Sequence, residues 1–337
     1  MANKLQQHFT VIRDREEVIR DICTQEKLLA IFEEWSEEQQ ELFLDYCTGV
    51  RGVKMLYDQY FKITMNPETS PERLEDILSL ILQEKVQILQ ILPNESTRIA
   101  AEKSLLVLDI VVQLENGSIA NVEVQKIGYA FPGQRSACYS ADLLMRQYKR
   151  VKAKKKKQFR YSDIKKVYTI IFFETSTGDF HDFQDIYMHR SKQIVDTGLQ
   201  IELLQEYIFI ALDIFKKKLH NRGIDKENRL EAWLTFLSED DPEWILNLIE
   251  TYPEFKDLYQ EVYDVCRNTE DIMGLFSEEL LELDKNTVEY MIDEMQNEIN
   301  ETNQQLEEQK HQLRIQRLQL EEKDALIAKL QSQLANK

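Results

Sequence analysis

The chain has 337 residues, of which 43% are hydrophobic and 30% charged, and its formal net charge is −18. That is enough apolar material for a sizeable core and two or three domains. No run approaches the roughly 18 consecutive apolar residues of a membrane helix, and the opening MANKLQQHFTVIRDREE lacks the apolar stretch of a signal peptide, so a cytoplasmic protein is expected. Cys23, Cys47, Cys138 and Cys266 are far apart with no paired spacing. Neither a zinc site nor a disulfide framework follows, and reduced, mostly buried thiols are expected.

The first 57 residues read as a helical extension. Arg13 to Cys23, Gln25 to Phe32 and Glu37 to Cys47 carry apolar residues at three- and four-residue spacing, and Ser36 before Glu37 and Glu38 marks a helix start. Ser70-Pro71-Glu72 begins another helix with a capping Ser and a first-turn Pro; Leu74, Ile77, Leu78 and Ile81 give it one apolar face. Val86 to Leu92 is a short apolar run ending at Pro93-Asn94 and reads as a first strand.

Leu105 to Gln125, LLVLDIVVQLENGSIANVEVQ, then reads as two strands joined at Asn116-Gly117, a two-residue hairpin signal that sets which residues face each other. Asp109 interrupts the most hydrophobic strand of the protein, where a lone carboxylate costs several kcal/mol unless it is paired, solvated in a cleft or bound to a metal. Alternation places Asn121, Glu123 and Gln125 on one face of the second strand, able to look across at Asp109. Oxygen ligands gathered this way suit Mg2+ or Mn2+ better than zinc. The plainer reading is an edge hairpin whose acids meet water, since every antiparallel strand has a polar face.

A helix from about residue 134 to 151 follows, with Arg135 and Tyr139 on one face, and Val167 to Phe173 reads as a buried fourth strand. Between Arg146 and Lys166 the net charge is +10, in a protein whose acidic excess lies almost wholly in residues 239–298, net −16. A strip containing Arg146, Lys149, Arg150, Lys152, Lys154, Lys155, Lys156 and Lys157 is either a polyanion-binding surface or a solvated loop. His181 and His189 stand among three Asp residues but match no specific ligand pattern, and a surface loop is expected there.

Asp109, the Glu123-Val124-Gln125 triplet, Arg135 and Tyr139, with their flanking text, resemble the PD-(D/E)XK nuclease family transposases, the Rpn-like group of recombination-promoting nucleases. The resemblance covers residues 58–173 and extends more loosely to about 240. It implies an α/β, restriction-endonuclease-like core of helix, three strands, helix and strand. It also implies a metal-dependent DNA endonuclease in which Asp109 and Glu123 hold Mg2+ (or Mn2+), Gln125 positions water or substrate, and Arg135, supported by Tyr139, contacts a phosphate. Asp58, in LYDQYFK, resembles the family's Asp-x-x-Phe-Lys opening and either joins the metal cluster or caps its own helix. Gln125 stands where the superfamily usually has lysine and cannot act as a cation, so a non-catalytic nucleic-acid-binding module is the alternative.

The expected domains are a helical extension (1–57), the nuclease-like domain (58–220), an acidic helical region (221–287) and a C-terminal coiled coil (288–335). In the acidic region Trp233, Phe236 and Leu237 share one face, and Trp244, Leu248 and Ile249 another. In the last segment Ile292, Ile299, Leu306, Leu313, Leu320, Ile327 and Leu334 recur every seven residues, which predicts a homo-oligomer, although the second seam position is largely polar.

Overall fold

In the computed structural model the described residues are 3–93, 110–127 and 132–281, with isolated helical positions between 295 and 316. Packing divides the chain into two compact units, Met1–Asn286 and Thr287–Lys337. In the second unit Met295, Ile299, Leu306 and Ile315 are helical and exposed.

Four helices open the first unit: α1 (Lys4–His8), α2 (Arg15–Thr24), α3 (Glu26–Glu34) and α4 (Glu37–Thr48). Three of them start with reciprocal caps, Asn3 with Gln6, Asp14 with Glu17 and Ser36 with Gln39, each satisfying two backbone donors that a helix start leaves open. Gly49 ends α4 at φ +67, a conformation that costs a side-chain-bearing residue more. After α5 (Asp58–Thr64) comes α6 (Pro71–Leu82), which buries the expected Leu74, Ile77, Leu78 and Ile81. Pro71 takes the first helical position as expected, but the Ser70 side chain makes no capping hydrogen bond because its backbone departs from the usual cap conformation (φ −141°, ψ 61°).

The sheet has six strands: β1 (Ile88–Ile91), β2 (Ile110–Leu114), β3 (Ile119–Ile127), β4 (Val167–Thr175), β5 (Met188–Ser191) and β6 (Gln205–Ala211). They lie in the order β1-β2-β3-β4-β6-β5. The two outer pairs at one edge, β1/β2 and β2/β3, and the β5/β6 pair at the other are antiparallel, while β3/β4 and β4/β6 are parallel. A parallel neighbour demands a crossover, and α7 (Pro132–Lys155) supplies it between β3 and β4. Between β4 and β5 lies the single turn α8 (Gly178–His181). β5 and β6 were not expected: β5 makes part of the predicted surface loop around His189 a strand, and β6 follows that loop.

The hairpin between β2 and β3 differs in one respect from the two-residue reading. The Gly117 amide donates to Leu114 O (2.8 Å), Gly117 sits at φ +89, and Leu114 N donates to Ser118 O (2.9 Å), so the loop is Glu115 to Gly117. Gly117 provides the left-handed residue such three-residue loops need. The resulting register pairs Ile110 with Val122, Val111 with Asn121 and Val112 with Ala120. Closing the loop after two residues would slip the pairing by one and turn every β2 side chain to the other face.

The downstream helices are α9 (Leu212–Arg222), α10 (Arg229–Ser238), α11 (Pro242–Thr251) and α12 (Phe255–Val265), with a further helical run over 269–281. They are part of the same core as the N-terminal helices. Trp233, Phe236 and Leu237 are buried, Trp233 Nε1 donates to Asp76 of α6 (2.7 Å), and Arg73 pairs with Glu261 (2.6 Å). One apolar cluster runs from Leu5 to Phe276 and takes in Ile110, Val112, Ala120, Val122, Ile170, Phe172, Ile208 and Ile210, which are one face of the sheet. On the other face a small cluster of Val111, Ile119 and Val167 meets Tyr139 and Leu143 of α7.

Two ion pairs fasten the main core to the sheet. Lys54 meets Glu174 of β4 at 3.0 Å, and Lys126 of β3 pairs with Glu279 of the 269–281 helix with both side chains almost fully buried. Tyr57 packs beneath both lysines, 5.8 Å from Lys54 Nζ and 5.3 Å from Lys126 Nζ. Of the four free cysteines only Cys47 and Cys266 are buried, whereas Cys23 and Cys138 are exposed, so the thiols are not mostly buried as expected. Burial pushes the Cys47 thiol up to about 12. Among the described residues no helix is long and apolar enough to cross a membrane.

Candidate functional site between β3 and α7

β3 has an unusual make-up because both its faces are covered. Ala120 and Val122 enter the main apolar core, while Asn121, Glu123 and Gln125 point to the α7 side and are buried as well. Two-faced burial normally selects continuous apolar sequence. Here the strand carries three polar side chains in a row, one of them a carboxylate at 4% exposure. Asn121 Nδ2 donates to Glu123 Oε1 at 3.0 Å, which supports the carboxylate from within its own strand. In the parallel register Asn121 lies beside Thr169 of β4, also fully buried.

Not all of this polarity is satisfied. Asn121 Oδ1, Gln125 Oε1 and Thr169 Oγ1 are buried and have no hydrogen-bond partner among the described residues. Buried acceptors are nearly always paired in native proteins, and each orphan costs about 1–3 kcal/mol. Three of them around one carboxylate mark a place kept polar at the expense of stability. The acceptors and Glu123 are all oxygen donors, a set that fits a hard divalent cation and does not fit zinc.

α7 closes this layer with small and aromatic residues. Ser136, Tyr139, Ser140, Leu143 and Gln147 recur at helical spacing and are buried. Gln205 of β6 donates to Ser140 Oγ (3.0 Å), tying helix to sheet. One turn apart, Arg135 Nε donates to the Tyr139 hydroxyl at 2.7 Å and its guanidinium lies 5.5 Å from the ring centroid, so Tyr139 orients Arg135.

The predicted residues therefore fall into groups. Glu123 and Gln125 share one buried face, and Arg135 and Tyr139 contact each other on the helix that covers it. Asp109 lies outside the described residues, as does the Asp58 side chain, whose backbone begins α5. Among the described residues no group of three or more His, Cys, Asp or Glu could hold a metal ion. His181 hydrogen-bonds Asp213 Oδ2 at 2.8 Å, which Ser176 Oγ also reaches at 3.1 Å. His189 sits in β5 with its ring edge-on to Phe180.

The basic strip divides by helix geometry. Arg146 and Arg150, one turn apart on α7, are partly buried. Arg146 pairs with Asp142 (2.9 Å) and donates to Pro93 O (2.8 Å), and burial followed by the Arg146 charge pulls the Arg150 guanidinium below its ordinary range. Lys149, Lys152, Lys154, Lys155, Lys156 and Lys157 are exposed. Thr169 is the site residue the sequence reading left out, and Asn121, which it placed on the polar face, had been given no role. Thr169 is the one small polar side chain in VYTIIFF, and that exception was its signal.

The six-stranded mixed sheet, with a buried polar row between a central strand and the crossover helix, defines an α/β protein. A family model of the PD-(D/E)XK nuclease family transposases matches residues 55–294, and the chain belongs to that family, which is of nuclease and transposase type. The match reaches well past residue 240 and takes in the acidic helices. No curated protein and no solved structure matches the chain.

An acceptor retained for a ligand and not for folding can be removed without loss of stability. Gln125→Met, which keeps the volume and deletes the orphan, is expected to leave urea-unfolding stability unchanged or raise it by up to about 1 kcal/mol. A loss above ~2 kcal/mol would show that Gln125 holds the fold.

Proposed function

We propose that the protein is a metal-dependent DNA endonuclease of the Rpn type that hydrolyses phosphodiester bonds. Asp109 and Glu123 would hold Mg2+ or Mn2+, Gln125 would position water or substrate, Arg135 would contact a phosphate, and the exposed lysines at the end of α7 and just after it would hold the DNA backbone. The observation that carries this reading is the antiparallel register of β2 on β3. Ile110 lies opposite Val122, and directly opposed residues point to the same face; Asp109 lies outside the described residues, and the reading has it continue that pairing by one step, opposite Glu123. The unpaired oxygens of Asn121 and Gln125 on that face support the same reading.

The bound ion supplies a Lewis acid and a water of lowered pKa. The chain's own residues do the rest. Asn121 keeps the Glu123 carboxylate in place, α7 excludes bulk water from the sheet face, and Tyr139 holds the Arg135 guanidinium where a bidentate phosphate contact can form. Gln125 in place of lysine favours a second reading, a module that binds nucleic acid without cutting it. Plasmid cleavage decides between them. Mg2+-dependent nicking is expected, lowered about a hundredfold or more in Asp109→Ala and Glu123→Ala. Binding without cleavage by the wild type would establish the module instead.

The exposed lysines are assigned to phosphates, and Arg146 and Arg150 to structure. Neutralising Lys152, Lys154, Lys156 and Lys157 together is expected to weaken DNA binding alike for all sequences and to flatten log affinity against log salt by about one unit per lost contact. An unchanged slope returns the run to a solvated loop.

Residues 288–335 are assigned to self-association. The heptad row of seven aliphatic side chains would leave about 1.5–3 kcal/mol each unrealised on a lone helix. Light scattering is expected to find an oligomer for the full chain and a monomer for a truncation ending at Asp284. Monomers in both cases at micromolar concentration would end this assignment.

A further inference from the structure

The connection from α7 to β4 carries three aromatic rings in contact. Tyr148 on α7 meets Phe159 edge-on at 5.5 Å, Phe159 meets Tyr161 edge-on at 5.4 Å, and Tyr148 and Tyr161 lie nearly parallel, 13° apart with centroids 6.3 Å from each other. Tyr148 and Phe159 are partly covered, but Tyr161 is 78% exposed. Lys152 Nζ lies 5.0 Å from the Tyr148 centroid and donates to its hydroxyl at 2.7 Å. From Lys152 to Lys166 there are eight basic residues and one acid, Asp163.

That acid builds the loop. Asp163 accepts from Lys155 Nζ (2.5 Å) and from the Arg160 amide (2.8 Å), and it closes the 3-10 turn Tyr161–Asp163. The Lys165 amide then donates to Gln147 Oε1 (2.6 Å), and Ile164 is buried. Tyr161 is thus presented on a segment fixed before and after it. A cluster serving only to close this connection would bury its outer ring, since that burial is what stabilises. Here the outermost ring is left open and held in place, beside a Tyr148 ring that Lys152 contacts and within a strongly basic stretch of chain.

We propose that Tyr161, backed by Tyr148 and Phe159, is a stacking platform for an unpaired nucleobase, so that this surface takes single-stranded or locally opened nucleic acid. A rigid aromatic face beside cations that track the phosphates is the general means of holding single strands. Every base offers a π face, so the site is tolerant of sequence. The proposal rests on the reading of the lysines as phosphate contacts and is independent of cleavage.

The test uses the full chain in EDTA, with fluorescence anisotropy on three labelled probes: a 12-nucleotide oligo(dT), an abasic strand of the same length and a 12-base-pair duplex. Wild type is expected to bind oligo(dT) about 5- to 150-fold more tightly than the abasic strand, the value of one stacked base. Tyr161→Ala is expected to erase that preference, leaving duplex and abasic affinities within about twofold and thermal unfolding unchanged, because an exposed ring supports little of the fold. Tyr161→Trp should retain the preference. Equal wild-type affinity for oligo(dT) and the abasic strand, or a Tyr161→Ala variant that keeps the preference, overturns the platform and leaves the lysine reading standing. Binding to none of the probes overturns both, and neither result bears on Mg2+-dependent cutting.

Discussion

A carboxylate buried in a β-strand must be supported from close by or it will not stay charged. In this protein Asn121, two residues earlier on the same strand and therefore on the same face, donates to the Glu123 carboxylate. Much of the architecture follows from keeping that pair dry. β4 runs parallel to β3, which forces a crossover, and the crossover helix is the lid over the polar row. The small side chains of Ser136 and Ser140 let this helix lie close to the sheet.

The two faces of the sheet are consequently unlike. One belongs to a core shared by helices from both ends of the first unit, and it supplies the apolar burial on which the fold stands. The other holds few apolar contacts and several unpaired oxygens. This division also separates charge. The acidic helices pack into the core on the apolar side, while the lysines emerge from α7 and its following turn. A polyanion near α7 meets local potential, which is screened over about 10 Å at ordinary ionic strength, and not the net −18 of the chain.

Sequence patterns carried the hairpin, the crossover helix, the fourth strand and the polar row because each had its own marker: Asn116-Gly117, a long amphipathic stretch, a β-branched run and strict alternation. β5 and β6 were harder to read. Met-His-Arg-Ser is only four residues with no β-branched side chain among them, and β6 has a β-branched and aromatic run, Tyr207 to Ile210, but passes into α9 at Ala211–Leu212 with no Gly or Pro between them, so strand and helix fuse into one apolar segment. The lysine strip misled in a different way. Composition counts every charge alike, but a 3.6-residue period turns Arg146 and Arg150 inward while their neighbours face water. The hairpin loop was misread by one residue, which matters because register and not the presence of a turn decides what stands opposite Glu123.

The Lys126–Glu279 pair gives the molecule an unexpected boundary. Lys126 follows Gln125 on β3, yet its partner lies more than 150 positions later, beyond the last strand and beyond four more helices. A buried ion pair tolerates replacement as a unit far better than loss of one member, which strands a charge in the core at a cost of about 3–5 kcal/mol. The strand that bears the polar row therefore cannot be separated from the 269–281 helix without disturbing the residue next to that row. A minimal folded version of this protein has to run past Glu279, which lies within the residues the family model matches.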